Sequence, residues 1–162
     1  MPISVRPAIS ADFLQMAELF NQIVAAGGTT AHQSSVSAEE LFGWMEKHTD
    51  SNVWHVAQNR TGQILGFQFI EPHVDLPADA GDIATYVRVS ATKTGIGSKL
   101  FETTRLAAQR LGLVWLNATI RSDNTGGLAY YQSQGFQTWH IDGNTALPDG
   151  TVVTKISKRL DV

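Results

Sequence analysis

Cysteine is absent from the 162 residues of the chain. This absence excludes a disulfide framework, a cysteine-ligated metal and a thiolate nucleophile. The chain also lacks a strong excess of charge of either sign, since 12 Lys and Arg stand against 15 Asp and Glu and the formal net charge is -3. Because a nucleic-acid surface needs a clustered excess of basic side chains, we do not expect nucleic acid as a partner.

Long hydrophobic runs are missing as well. No segment approaches the roughly 18 apolar residues of a membrane-spanning helix, and the N-terminal sequence MPISVRPAIS lacks the apolar region of a signal peptide. The sequence therefore predicts a cytoplasmic protein without a membrane partner. At this length and with 43% hydrophobic residues, the chain can bury one sizeable core, and we expect a single domain over residues 1–162.

Hydrophobic periodicity and turn residues predict the element order β-α-α-β-β-β-α-β-α-β-β. Ser10 is expected to cap the first helix, and the sequence SAEE at 37–40 is a capping box that predicts the start of the second. The sequence NRTG at 59–62 predicts a hairpin, and LPDG at 147–150 predicts the turn before the last strand. This order favours an α/β sheet with antiparallel pairs and at least one right-handed crossover.

The segment TYVRVSATKTGIGSKLF, residues 85–101, passes from the end of a strand expected at 83–89 to a small polar loop and then to a helical pattern. The first N–H groups of such a helix have no internal partners, so they form an anion site with the positive end of the helix dipole. Gly95 and Gly97 would let a ligand approach the backbone, although a plain tight turn remains the alternative. The P-loop spacing is absent, and Leu100 replaces the third glycine of the dinucleotide fingerprint.

Two segments taken together, TKTGIG at 92–97 and RSDNTGGLAYYQSQGF at 121–136, resemble motifs of the GNAT superfamily of acyl-CoA-dependent N-acetyltransferases. These motifs read R/Q-x-x-G-x-G/A and N-x-x-A-x-x-x-Y-x-x-x-G-F. Four residues fall at the spacing of the second motif: Asn124, Tyr131, Gly135 and Phe136. The segment ELFNQIV and the ending LPDGTVVTKISKRL look most like the phosphinothricin and methionine-sulfone acetyltransferase branch.

The resemblance implies a GNAT-like fold, in which flanking helices cover a central mixed β-sheet that splays at the acyl-CoA site. It implies acetyl-CoA as cosubstrate, with the pantetheine arm along the strand that contains Thr85. The residues implied for cofactor binding are Tyr86, Val87, Lys93, Thr94, Gly95, Ile96, Gly97, Ser98 and Asn124. The chain departs from the family at Thr92, where Arg or Gln is usual, and at Gly127, where Ala is usual. Lys93 could supply the missing positive charge.

The catalytic residues implied by the resemblance are Tyr131 and Asp82. The family transfers the acetyl group by direct attack of an amine, and the corresponding Tyr protonates the leaving thiolate. A phenol with an ordinary pKa near 10 keeps its proton at neutral pH and can do this, while core packing is the alternative role of Tyr131. Asp82 is the first choice as base, with Glu71 and His73 as competitors. The loop residues expected to bind the acceptor are Thr29, Thr30 and His73.

These features predict an N-acetyltransferase that moves an acetyl group from acetyl-CoA to the primary amine of a small amino-acid-like molecule. Two alternatives stay open: acetylation of a protein or peptide, and a catalytically silent acyl-CoA-binding module. The histidines form no ligand-spaced cluster, so no metal is expected, and the resemblance implies that the chain can form a homodimer. We expect all four tryptophans in the core: Trp44, Trp54, Trp115 and Trp139.

Overall fold

The computed structural model describes residues 2–162, and its helices and strands follow the predicted order. The helices are α1 (Phe13–Ala26), α2 (Ala38–Glu46), α3 (Ile96–Arg110) and α4 (Thr125–Ser133). The strands are β1 (Ser4–Pro7), β2 (Val53–Gln58), β3 (Ile64–Glu71), β4 (Ala80–Val87), β5 (Trp115–Arg121), β6 (Gln137–Ala146) and β7 (Val152–Asp161). Within residues 2–162, none of the helices has the length and apolar character needed to cross a membrane.

All seven strands form one mixed sheet in the order β1-β2-β3-β4-β5-β7-β6. Neighbouring strands are antiparallel except for β4 and β5, which are parallel. The register of the parallel pair joins Ala80–Asp82 to Trp115–Asn117 and stops there, although β4 continues to Val87 and β5 to Arg121. The sheet therefore opens between these two strands, and the predicted fold class, a mixed sheet with a splay and flanking helices, is confirmed.

Helices cover both faces of the sheet because alternate residues of a strand point to opposite sides. On β3, Phe67 and Phe69 belong to the apolar cluster formed with α1 and α2. Gly66 faces the other way, where an added Cβ would lie 3.2 Å from Ile96 Cγ2 of α3. Gln68 points to that same side and is fully buried. A polar side chain thus lies inside the layer between the sheet, α3 and α4.

The start of α1 differs from the sequence expectation for Ser10. Residues Ser10–Asp12 form a short 3-10 turn, and α1 begins at Phe13 with Asp12 at its N-cap. The carboxylate of Asp12 accepts the N–H of Ile9 at 2.8 Å and binds the guanidinium of Arg6 at 2.8 Å. The expected Ser10 cap is therefore wrong, because an ion pair to β1 rather than a hydroxyl fixes where the helix begins.

The second helix begins as predicted, through the capping box. The N–H of Glu40 donates to Ser37 Oγ at 3.0 Å, and the N–H of Ser37 donates to Glu40 Oε1 at 3.1 Å. The predicted turn at 147–150 is confirmed by a hydrogen bond from the N–H of Gly150 to the carbonyl of Leu147 at 2.8 Å. Both hydrogen-bonding patterns join residues that are close along the chain, so they can be predicted from the sequence.

Candidate active site

A cavity of about 840 Å³ lies at the opening between β4 and β5. Seven of the residues expected in the site line it together: Thr29, Thr30, His73, Asp82, Tyr86, Asn124 and Tyr131. They come from β4, from α4 and its N-cap, and from the loops that follow α1 and β3. Among residues 2–162 there is no group of three or more His, Asp or Glu side chains placed to hold a metal ion.

Tyr131 on α4 has its hydroxyl 2.8 Å from Thr85 Oγ1 of β4. The side chain is 7% exposed and packs edge-on against Phe136, with ring centroids 5.1 Å apart. Burial raises the pKa of the Tyr131 phenol well above 10, with the neighbouring Tyr130 adding to the effect. The phenol therefore holds its proton at neutral pH, and Tyr131 lines the cavity in which that proton would be donated.

Asp82 lies at the end of the paired part of β4, directly opposite Asn117 of β5. The Nδ2 of Asn117 donates to Asp82 Oδ1 at 2.9 Å, and Trp139 Nε1 donates to Asn117 Oδ1 at 2.9 Å. The tryptophan thus fixes the amide with its N–H side toward the carboxylate. Burial raises the pKa of the Asp82 carboxyl above its ordinary value, and the bond from Asn117 opposes that rise.

Glu71 on β3 is the cross-strand partner of Asp82, so two carboxyl groups meet at the cavity. Burial raises the pKa of Glu71, and the charge of Asp82 raises it further. A carboxylate with a raised pKa is a stronger proton acceptor than an exposed one, which suits a general base. Both carboxyl groups meet this requirement, and Asp82 alone receives the hydrogen bond from Asn117 that orients it.

His73 lies in the loop after β3, where Glu71 ends the strand. Its Nδ1 accepts the N–H of Asp75 at 3.1 Å and lies 3.8 Å from Asp75 Oδ2. The side chain is exposed on the wall of the cavity. At this position His73 is placed to contact a bound molecule, while the carboxyl groups of Glu71 and Asp82 are more buried.

The loop after α1 is held against the far end of β5 by two side chains. Asn124 Nδ2 donates to the carbonyl of Thr29 at 3.0 Å, and Arg121 Nη1 donates to the carbonyl of Thr30 at 3.1 Å. Asn124 Oδ1 also accepts the N–H of Gly127 at 2.9 Å and so caps α4. A Cβ at position 127 would lie 2.5 Å from Asn124 Nδ2. The departure from Ala to Gly127 is therefore explained by space for this cap.

The glycine-containing loop forms the entry to α3, next to the end of β4. The strand expected at 83–89 ends at Val87, because Val89–Ala91 turns into a 3-10 helix. Lys93, Thr94 and Ser98 are exposed. The N-cap of α3 is Gly95, with φ of 84° and nothing within 4 Å of an added Cβ.

At three of the expected cofactor residues, the side-chain position is directed into the protein. Ile96 is buried, and Val87 packs against the small apolar cluster to which it belongs. A Cβ at Gly97 would lie 2.6 Å from Cε1 of Tyr130, so the close approach there is that of a tyrosine ring. At these three positions the backbone is what remains for a ligand, and contact of Gly97 with the cofactor stays a prediction.

Several residues of the site gave no signal of function in the sequence. Asn117 and Thr85 are ordinary strand positions until the sheet topology places them beside Asp82 and Tyr131. The core expectation holds for Trp54 and Trp115, at 4% and 8% exposure, but Trp139 is 48% exposed. The placement of Trp139 in the core is wrong because β6 is the edge strand, and its indole instead orients Asn117.

Comparison with known proteins assigns this arrangement to a family. The model of the family described as Acetyltransferase (GNAT) family matches residues 16–136. The chain is 25% identical over 150 residues to YwnH of Bacillus subtilis (strain 168), named as a candidate phosphinothricin acetyltransferase, covering 91% of this chain and 92% of that protein. It is 30% identical over 104 residues to Phosphinothricin N-acetyltransferase of Streptomyces coelicolor, covering 61% of each chain.

Solved structures share the fold along the whole chain. The phosphinothricin acetyltransferase from Sinorhizobium meliloti in complex with AcCoA superposes with a TM-score of 0.89 at 19% identity, over 100% of this chain and 89% of that one. Ribosomal-protein-alanine N-acetyltransferase from Brucella melitensis gives a TM-score of 0.89 at 22% identity, over 98% and 99% of the two chains. The fold and the extent of the family match together show that the chain belongs to the GNAT family of acetyltransferases.

Proposed function

We propose that the protein transfers an acetyl group from acetyl-CoA to the primary amine of a small amino-acid-like acceptor. The observation that carries the proposal is the cavity at the sheet opening, which joins a carboxyl of raised pKa, Asp82, to a phenol that keeps its proton, Tyr131. The relatives named for phosphinothricin acetylation support an amino-acid-like acceptor. Acetyl transfer to an amine needs one group that accepts a proton and another that donates one.

The opening in the sheet suits an acyl-CoA. From Ile83 to Val87, β4 has no registered partner on β5, so its backbone can pair with the amide groups of a pantetheine arm. The N-terminus of α3 offers N–H groups and the positive end of the helix dipole to a pyrophosphate. Gly95 leaves open space there and Lys93 is exposed beside it. Bound acetyl-CoA would supply the thioester that is cleaved.

The residues of the chain then divide the proton transfers between them. Asp82 takes a proton from the ammonium form of the acceptor, directly or through water, and leaves a neutral amine. As the bond from nitrogen to the acetyl carbon forms and the bond from that carbon to sulfur breaks, Tyr131 donates its proton to the departing sulfur. The second proton that the nitrogen then loses returns to Tyr131 through water, and Asp82 releases its proton to solvent. No residue needs to become acetylated, which agrees with a chain without cysteine.

The acceptor class is tested by mixing the protein with acetyl-CoA and a panel of amines while free thiol is measured. We expect thiol release with free amino acids or close analogues, because both acidic and basic side chains line the same cavity. Release only with peptide N-termini or protein lysines would favour the protein acetyltransferase. Tight binding of acetyl-CoA without thiol release from any amine would identify a silent binding module.

The cofactor loop is tested by Gly95→Leu. The added side chain meets no protein atom within 4 Å of its Cβ, so it should obstruct the phosphate site and leave the core intact. Since hydrogen bonds to a charged group contribute about 1.5–3 kcal/mol each, we expect affinity for acetyl-CoA to fall about tenfold or more, measured by calorimetry. Gly112→Leu is the matched control, because Gly112 has φ of 80° and similar open space at the other end of α3. Equal affinity in both variants would show that the loop is only a turn.

A further inference from the structure

A chain of four hydrogen bonds connects the glycine-containing loop to Tyr131. Tyr130 Oη lies 2.7 Å from the carbonyl oxygen of Gly97 and 3.0 Å from Gln68 Nε2. Gln68 Nε2 lies 2.9 Å from Thr85 Oγ1, which lies 2.8 Å from Tyr131 Oη. The hydrogen bonds thus run from the N-terminus of α3 to Tyr130 of α4, then through β3 and β4 back to α4, where they end at Tyr131.

The direction of donation follows from the carbonyl of Gly97. A carbonyl oxygen only accepts, so Tyr130 Oη donates its single proton to Gly97. Tyr130 must then accept from Gln68, which fixes the Nε2 group of Gln68 on that side. The same Nε2 donates its second proton to Thr85 Oγ1. The Thr85 hydroxyl thus keeps its own proton for donation, and Tyr131 Oη lies 2.8 Å away as an acceptor.

We propose that Thr85 is a positioning residue of the transfer reaction, whose hydroxyl donates to Tyr131 Oη and leaves the phenol proton free to point into the cavity. This inference rests on the proposed function, in which Tyr131 is the acid. When Tyr131 gives its proton to the leaving sulfur, its oxygen becomes negative and the bond from Thr85 becomes charge-assisted. The bond therefore strengthens in the transition state and raises kcat rather than substrate affinity.

The burial of Gln68 indicates that its hydrogen bonds, rather than its packing, determine the residue at this position. Gln68 is fully buried at the middle of β3, and its Oε1 has no hydrogen-bond partner among the described residues. A buried polar atom without a partner is costly, so an apolar residue would serve the packing better. What the glutamine supplies is an Nε2 group that donates to both Tyr130 and Thr85 and leaves the proton of Thr85 available to Tyr131.

Thr85→Val tests the inference, because it removes the hydroxyl and keeps the branched shape. We expect kcat to fall about 10- to 100-fold, the range of a hydrogen bond to a charged group, while the KM values for both substrates stay within about threefold. Thr85→Ser retains the donor and should restore most of the lost rate. In a Tyr131→Phe background, Thr85→Val should cause no further loss of kcat, because the oxygen it acts on is gone.

Thr104→Val is the matched control. Thr104 is a fully buried threonine of α3, and its Oγ1 lies 3.0 Å from His55 Nδ1, away from the cavity. It should lower the melting temperature about as much as Thr85→Val does and leave kcat unchanged. Normal kcat in Thr85→Val, beside a Tyr131→Phe variant that is impaired, would overturn this inference and leave the proposed function standing. Losses that multiply in the double variant would also overturn it. Normal turnover in Tyr131→Phe would remove both the role of Tyr131 as acid and the role of Thr85, and would leave acetyl transfer itself standing.

Discussion

Tyr131→Phe is expected to lower kcat by about 10²–10⁴-fold, the usual contribution of a general acid. The substitution removes one oxygen and keeps the ring, which packs against Phe136 at 5.1 Å and against Tyr130 at 4.9 Å between centroids. Affinity for acetyl-CoA should change little, because the lost interaction is strongest in the transition state. Steady-state kinetics and calorimetry on one preparation provide both measurements.

Thermal melting separates this result from a packing role of Tyr131. A purely structural tyrosine would lose the hydrogen bond to Thr85, which costs about 1 kcal/mol of stability, and would leave turnover near normal. The catalytic role predicts that turnover collapses whatever the change in melting temperature. A Phe variant with ordinary kcat would assign the proton donation to water or to another group.

The features that could be read from sequence are those set by neighbours along the chain. The capping box of Ser37 and Glu40 and the turn at 147–150 depend on residues three positions apart. The element order follows from periodicity, and the GNAT motifs locate the opening of the sheet through their known place in that fold. The family resemblance also points to Tyr131 and Asp82; both line the cavity, and their catalytic roles stay predictions.

The features that could not be read from sequence depend on contacts between distant parts of the chain. The sequence at Gly97 gives no sign of the ring of Tyr130, 33 positions later, that packs beside it. Trp139 looks like a core residue until the sheet order puts β6 at the edge. Gln68 stands in an apolar strand, ILGFQFIE, and its polarity was the one local sign that something other than packing determines that position.

Asp82→Asn is expected to lower kcat/KM by about 10²–10⁴-fold at neutral pH, because an amide cannot accept the proton of the acceptor amine. The amide keeps an oxygen for the hydrogen bond from Asn117, so the geometry of the wall is preserved. Glu71→Gln, measured beside it, tests the competing carboxyl. A loss confined to Glu71→Gln would transfer the role of base to Glu71.

The raised pKa of Asp82 also predicts a pH dependence. Wild-type kcat/KM should fall as the pH drops through a midpoint above 3.8, the ordinary value for Asp, since the base becomes protonated there. Because the folded protein binds this proton more tightly than the unfolded chain, the stability it contributes is present at low pH and is lost as the pH rises through the raised pKa. At pH 7 the Asn variant should therefore melt at or above the wild-type temperature, and the difference should vanish at low pH.

Asp149→Asn is the control, because the pKa of Asp149 is shifted in the opposite direction, below its ordinary value. Asp149 is exposed in the turn at 147–150, and hydrogen bonds from Thr151 lower the pKa of its carboxyl. This substitution should leave kcat/KM and its pH profile unchanged and should not stabilise the protein at pH 7. If Asp82→Asn instead keeps both the rate and the acid limb of the wild type, Asp82 is not the base. If it melts below the wild type at pH 7, the charged carboxylate is stabilised by its surroundings, and the raised pKa is wrong.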